Sequence, residues 1–316
     1  MAVVVLGCGV IGLSTAIRLQ EAGLAVRIVA QDLPPDTTSS VAAAIWYPYR
    51  AYPEEKVLDW GGRSFTVFEE LAGTPDAGIM MRVTKEFFRS PVPDAWWAAA
   101  VSDFRHCREA ELPDGFRDGF AFTTAVVEMP IYLEYLLRRY RAAGGLVERR
   151  TLHSLAELAG QGEVVVNCSG LGARALADDP AVMSIRGQVV RTDNPGINEV
   201  LLDEEDPSGI TYIVPRSTDC ILGGTAEVGA EHLEPDPAIA DGITDRCARL
   251  EPRLRGARVL GHRVGLRPGR PTIRLELTEL SGSTPCVHNY GHGGAGVTLA
   301  WGCADEVLRL TQSVLG

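Results

Sequence analysis

Two glycine-rich stretches carry the strongest chemical signal in this 316-residue chain. The first is Gly7-x-Gly9-x-x-Gly12, set between the aliphatic run Val3 to Leu6 and a stretch of helical spacing, with Asp32 following 20 residues after the last glycine. That context suits a dinucleotide. The first glycine permits a tight turn, the second lets a pyrophosphate approach the backbone, and the third lets helix and strand pack closely. Free N–H groups and partial positive charge at the helix start would meet the phosphates. An acid after the second strand would accept a ribose hydroxyl. This motif alone does not separate FAD from NAD.

The second stretch is Val287-His288-Asn289-Tyr290-Gly291-His292-Gly293-Gly294-Ala295-Gly296. Its glycines expose backbone N–H and C=O groups to whatever lies beside them. Taken by itself it also reads as a crossover loop into a last helix. His288 and His292 have the spacing of a metal pair, but a glycine-rich loop offers no helix face, so no metal is assigned. The stretch resembles the signature of the D-amino-acid oxidase family, H-N-Y-G-x-G-G-x-G, followed after five residues by G-x-A. Gly302-Cys303-Ala304 completes it, and Cys286 departs where the pattern prefers an aliphatic residue.

The resemblance covers nearly the whole chain and implies FAD. It assigns Gly7, Gly9, Val10, Ile11 and Gly12 to the cofactor, with Asp32 at the ribose. Thr37-Thr38-Ser39-Ser40-Val41-Ala42-Ala43-Ala44-Ile45-Trp46 is similar to a second flavin-contacting stretch, giving Thr37, Thr38, Ser39, Ala43, Ala44 and Ile45. Val166-Asn167-Cys168-Ser169-Gly170 is similar to a third, giving Val166. Gly265, Gly293, Gly294, Gly296, Val297 and Thr298 complete the implied cofactor set. Ala44 stands where animal members carry glycine, and their acid falls one residue earlier, where this chain has Gln31.

Gly265-Leu266-Arg267-Pro268-Gly269-Arg270-Pro271 is similar to the family's G-[FL]-R-P-x-R-P. The resemblance gives Arg267 the substrate α-carboxylate, and the physics suits it. A guanidinium matches a carboxylate in plane and charge and keeps its proton at working pH. Arg270 reads as structural. Tyr212 aligns with a tyrosine that also bonds the carboxylate, and the Gly294 carbonyl would accept from the amine. Ser208 occupies the place of a second active-site tyrosine, and the loop from Asp203 to Thr211 is shorter, which counts against a closing lid. No Asp, Glu or His in these motifs is placed as a general base, so no catalytic acid or base is assigned. That agrees with the implied chemistry, hydride transfer from the α-carbon to flavin N5. The expected substrate is a D-amino acid with a neutral side chain, oxidised with dioxygen to a 2-oxo acid, ammonia and hydrogen peroxide. Ile45, Tyr47 and the loop before Tyr212 would surround that side chain, with Arg50 the one cation nearby in sequence.

The elements that must position these residues are legible in outline. Val3 to Leu6 reads as a strand buried on both faces, Gly12 to Ala22 as a helix ended by Gly23, and Ala25 to Ala30 as the next strand. Helical spacing returns at Val57 to Leu71 and at Pro130 to Ala143, where Tyr132, Leu133, Leu136, Leu137 and Tyr140 form one stripe. Residues 84 to 128 and 186 to 229 read as strands, Val164 to Asn167 as a buried strand, and Ala238 to Leu250 and Gly296 to Val314 as helices. The expected fold class is α/β. A discontinuous Rossmann-like FAD-binding domain comprises 1–45, 131–182 and 262–316, and a β-rich substrate domain comprises 46–130 and 183–261.

Composition sets bounds. A net charge of -11 argues against nucleic acid as a partner, because phosphate would be repelled. No apolar run reaches the length of about 18 residues needed to span a membrane, and the apolar start lacks the basic region of a signal peptide. Seven scattered cysteines without a C-x-x-C pair suit free thiols in a reducing, cytoplasmic setting; Cys220 and Cys286 are the candidate disulfide on the minority reading. The expected partners are the small substrate and dioxygen, with a homodimer allowed for. Three alternatives stay open: an oxidase for D-aspartate, glycine or sarcosine on the same fold, a dehydrogenase reporting to quinone, and a flavoprotein kept for binding. The glycine motifs together predict that mild denaturation of purified protein releases FAD. Chromatography of the released nucleotide checks this, and recovery of NAD or of no nucleotide contradicts it.

Overall fold

The computed structural model describes residues 2–48, 51–280 and 282–316. The chain opens with β1 (Ala2–Leu6), α1 (Val10–Glu21) and β2 (Ala25–Ala30), then α2 (Glu54–Ala72), β3 (Ile79–Phe88), β4 (Arg105–His106) and β5 (Asp118–Val127). Next come α3 (Met129–Ala142), β6 (Leu146–Arg149), β7 (Val164–Asn167) and the single turn α4 (Ala173–Leu176). Strands β8 (Met183–Thr192), β9 (Val200–Asp203), β10 (Thr211–Pro215), β11 (Cys220–Gly223) and β12 (Glu227–Val228) precede α5 (Pro237–Leu250). The last elements are β13 (Val259–Leu280), β14 (Thr284–His292) and α6 (Gly296–Leu315).

All the strands join in one sheet, ordered β4-β5-β3-β9-β10-β11-β8-β13-β14-β7-β1-β2-β6, with β12 also on β8. The run β14-β7-β1-β2-β6 is parallel. The remainder is antiparallel except where β3 meets β9. One strand links the two regions. β13 pairs with β8 from Val259 to Gly269 and with β14 from Gly269 to Leu280, with a register shift between Gly269 and Arg274.

Local sequence explains the parallel region. Along β1, Val3 and Val5 enter the main core while Val4 and Leu6 enter a second core with Leu152, Leu155 and Leu158. A strand covered on both faces needs no polar alternation, hence the unbroken aliphatic run. α1 starts at Val10, two residues earlier than its spacing suggested, because Gly9 takes the extended conformation of an N-cap. Gly23, at φ +81°, turns the chain out of the helix. On α3, Tyr132, Leu133, Leu136, Leu137 and Tyr140 are all buried, as their stripe predicted. The Tyr140 hydroxyl donates to the Val26 carbonyl at 2.8 Å and lies 3.0 Å from that of Leu146, which ties α3 to the sheet.

Two expectations change. The stretch Val287 to His292 is strand, not loop: His288, Asn289 and Tyr290 are buried, and β14 needs partners on both edges to satisfy their backbone. All seven cysteines are free, so Cys220 and Cys286 form no disulfide. The sheet explains this. β8 and β13 lie between β11 and β14, and three strand spacings amount to roughly 14 Å, against the roughly 4.4–6.8 Å a disulfide allows between Cα atoms.

α6 packs against α1 and α2. Ser64 Oγ of α2 accepts from the backbone N–H of Trp301 and Gly302 at 3.1 and 3.0 Å, so the two backbones run close together. A Cβ on Gly302 would overlap the backbone of Trp60. Gly302→Ala is therefore expected to force α2 off α6 and lower stability by about 1–3 kcal/mol. Urea unfolding of the variant against the parent measures this; an unchanged midpoint would show that the interface yields freely.

Candidate active site

The first glycine turn is shaped by close approaches of backbone. Gly7 lies at φ +112°, a conformation that favours glycine, and a Cβ there would collide with the Cys168 carbonyl. A Cβ on Gly12 would collide with the Gly7 carbonyl, so α1 seats directly on the turn. Ser39 Oγ accepts from the Val10 N–H at 3.0 Å, which brings the 37–41 segment against the helix start. Neither α1 nor α6 carries a side-chain N-cap or an acid in its first turn. The first residues of both helices line one cavity of about 540 Å³. Two helix starts with no acid in their first turns favour anionic or polar oxygen groups there.

The structure gathers the predicted residues around that cavity. Gly7, Gly9, Val10, Ile11, Gly12, Asp32, Thr37, Thr38, Ser39, Ala43, Ala44, Ile45, Gly265, Gly293, Gly294, Gly296 and Val297 all line it, and so do Arg267 and Tyr212. Val166 and Thr298 are placed otherwise. Val166 is fully buried in β7 within the main core. Thr298 Oγ1 donates to the Tyr47 carbonyl at 2.9 Å and accepts from its N–H at 3.1 Å, so it holds the 43–48 segment in place. Arg50 lies outside the described residues.

Arg267 reaches the cavity from the part of β13 that pairs with β8. Its Nη1 donates to the Thr225 carbonyl at 3.0 Å, and the guanidinium lies over Gly187, where a Cβ would collide with it. The Tyr212 ring lies in the same way over Gly223 and Gly224. Burial pushes the Tyr212 phenol pKa up, and the Arg267 charge pulls it partly back, so the two groups face each other. Gly187, Gly223 and Gly224 escaped the sequence reading. Their signal was present: a glycine inside a strand run marks close approach of another group. Arg270 instead pairs with buried Asp179 at 3.0 Å, which also accepts from the Tyr290 hydroxyl at 2.8 Å.

The C-terminal motif supplies buried polar groups. His288 is 3.3 Å from Asn167 Nδ2 through Nδ1 and 3.0 Å from Thr278 Oγ1 through Nε2, so both ring nitrogens serve the fold. His292 and Asn289 line the cavity, and His292 Nε2 and Asn289 Oδ1 are buried without a protein partner. Burial lowers the His292 pKa to about 4, which keeps the ring neutral at physiological pH. Unpartnered buried polar atoms, glycines that admit close contact and two open helix starts fit a large polar cofactor.

Residues 2–310 match the family model described as FAD dependent oxidoreductase. The chain belongs to this family. It is 60% identical to the D-amino-acid oxidase of Rubrobacter xylanophilus over 99% of its own length and 96% of that protein. It is 46% identical to the D-amino-acid oxidase of Streptomyces coelicolor, covering 98% of this chain and 96% of the relative. Among solved structures, glycine oxidase from Geobacillus kaustophilus superposes with a TM-score of 0.81 over 98% of this chain and 94% of that one, at 18% identity. That last likeness is one of fold. As a member of this family the chain takes FAD, and the glycine turns and helix starts described above are where such a cofactor fits.

One wall of the cavity is unusual in its electrostatics. The Tyr47 hydroxyl donates to Glu86 Oε1 at 2.8 Å, and Glu86 is only 4% exposed. Burial raises the Glu86 pKa from 4.5 to about 8, the Tyr47 hydrogen bond opposes this, and Glu204 and Glu205 add to it. Below pH 4.5 folded and unfolded chains both hold the proton. Between 4.5 and about 8 only the folded chain does, so this group makes the fold less stable as pH rises through that window. Glu86→Gln removes the effect and should raise Tm more at pH 8 than at pH 5. Melting curves of parent and variant at both pH values test this; an equal gain at both would show that Glu86 is ionised in the folded protein.

Proposed function

We propose that this protein oxidises D-amino acids, using dioxygen and water to yield a 2-oxo acid, ammonia and hydrogen peroxide. The observation that carries the reading is the meeting of Arg267 and Tyr212 at the wall of the same cavity that the glycine turns line. An arginine with a planar fork beside a phenolic hydroxyl is a carboxylate receptor. The similarity to two D-amino-acid oxidases across nearly the full chain supports the same substrate class. Residues 1–45, 131–182 and 262–316 would serve the cofactor and 46–130 and 183–261 the substrate, with β13 common to both. Free, mostly buried thiols support a cytoplasmic setting. Among the described residues no helix is long and apolar enough to cross a membrane.

FAD, when bound, supplies the hydride acceptor, and the protein's task is placement. Arg267 and Tyr212 fix the carboxylate, and the Gly294 carbonyl accepts from the amine. With those substituents held, a D-isomer presents its α-hydrogen to the acceptor, and an L-isomer on the same anchors turns it away. The gain is one of orientation, since no side chain need exchange a proton with the α-carbon. The substrate side chain falls against Ile45, Tyr47 and Tyr212, which pack on the apolar cluster of Leu202 and Val214. Glu204 joins the same cavity wall. Apolar surface beside a carboxylate disfavours an acidic side chain, because a desolvated, unpaired charge costs several kcal/mol.

Neutral D-amino acids such as D-alanine and D-valine are thus expected to show higher kcat/KM than D-aspartate, with L-enantiomers inert. Anaerobic mixing of holoprotein with a panel of both enantiomers, followed by flavin bleaching, decides this. Arg267→Lys should raise KM about tenfold or more, the worth of roughly 1.5–3 kcal/mol for a lost charge-assisted contact. FAD affinity should hold. Equal KM for parent and variant would remove Arg267 from the substrate site.

A further inference from the structure

Arg246 of α5 is 8% exposed, and its hydrogen bonds run to backbone carbonyls alone. Nη1 donates to the Ser208 carbonyl at 3.1 Å, and Nη2 to those of Ile210 at 3.4 Å and Gly224 at 3.3 Å. A buried cation is costly unless hydrogen bonds compensate it. Here three carbonyl dipoles converge on one guanidinium. Gly209 makes room for it: a Cβ there would sit 3.2 Å from the guanidinium carbon.

The three carbonyls belong to the two segments that hold Tyr212. Ser208 and Ile210 lie just before it on the way into β10, and Gly224 follows β11, which pairs with β10 through Tyr212 and Gly223. The Gly224 N–H donates to the Ile210 carbonyl at 2.8 Å, so the guanidinium and this bond converge on the same oxygen. The Tyr212 ring rests on the Gly223-Gly224 backbone. The next residue, Thr225, supplies the carbonyl that accepts from Arg267. Moving the 208–210 segment away from Gly224 would therefore shift the floor under Tyr212 and the acceptor of Arg267 together.

We propose that Arg246 is a positioning residue for the carboxylate receptor: by tying Ser208 and Ile210 to Gly224 it preforms the relation between Tyr212 and Arg267. The same tie holds the loop before Tyr212 closed onto α5, so this loop does not swing as a lid. The proposal rests on the functional reading above, in which Arg267 and Tyr212 bind the substrate carboxylate.

The test uses holoprotein of the parent, Arg246→Gln and Arg246→Lys. Lysine keeps the charge but, as a compact point charge on a flexible stem, cannot bridge three carbonyls in a fixed plane, and it serves if the glutamine variant does not fold. KM for D-alanine should rise about tenfold, the scale of one lost charge-assisted hydrogen bond, with kcat within about twofold and the flavin spectrum unchanged. In a Tyr212→Phe background the same substitution should raise KM much less, since the group it positions is gone. An unchanged KM, a loss confined to kcat, or full additivity with Tyr212→Phe overturns the proposal. Propanoate binding, followed by perturbation of flavin absorbance, separates the two readings. Weaker propanoate binding in the variants sustains the role of Arg246 even if the parent oxidises no D-amino acid, and equal binding overturns it.

Discussion

β13 is long enough to belong to two differently built regions of sheet, and the geometry of the cavity depends on that. From Val259 to Gly269 it is an antiparallel partner of β8, and from Gly269 to Leu280 of β14, whose far edge meets the parallel strands. Backbone hydrogen bonds along both halves leave little freedom in how the regions face one another. Gly265 and Arg267 ride on the first half, and the second half places the strand that leads into Gly293 and Gly294. The proposed carboxylate receptor and the two glycine turns thus share a rigid frame. Since 1 Å of misplacement is costly to orientation-driven chemistry, a shared strand suits the task better than a hinge.

Close backbone approach is the second recurring device. At Gly7 and Gly12 it lets α1 start against the sheet, at Gly302 it lets α6 lie on α2, and at Gly187 and Gly223 it lets a functional side chain lie flat on a strand. The physical requirement is the same in each place, yet only Gly7 and Gly12 belong to the expected cofactor set. The others serve packing and orientation, which a count of glycines does not distinguish.

Buried charge divides by role. Asp179 is satisfied by Arg270 and Tyr290 and braces the strand that carries Arg267. The two terminal nitrogens of Arg246 donate to carbonyls of Ser208, Ile210 and Gly224, on either side of Tyr212. Arg267, by contrast, donates to the Thr225 carbonyl, meets Tyr212 and lines the cavity. A guanidinium whose fork is only partly used by its own protein has capacity for an outside anion. Glu86 lies behind Tyr47, and with burial raising its pKa to about 8 it adds little negative charge there near neutrality.

What the sequence determined by itself was everything encoded within a short stretch of chain. The βαβ opening, the stripe on α3, the buried strand β7 and the first glycine turn are periodicities or local conformational needs, and each stands within two residues of where the spacing placed it. Arg267, Tyr212 and the expected cofactor residues were singled out through compact motifs that resemble those of the family, and all of them but Val166 and Thr298 line the cavity. Tertiary structure decided what depends on partners far along the chain. That β14 continues through His288 to His292 follows from strands on both its edges, which no local pattern reveals. That Cys220 and Cys286 stay apart follows from the two strands between them. That Val166 and Thr298 turn away from the cavity, while Gly187 and Gly223 lie under Arg267 and Tyr212 and Arg246 reaches the carbonyls beside Tyr212, follows from sheet order and from α5 packing over β10 and β11. A side chain's neighbours within a turn are set by its spacing, but the neighbours that give it a function come from how distant segments are stacked.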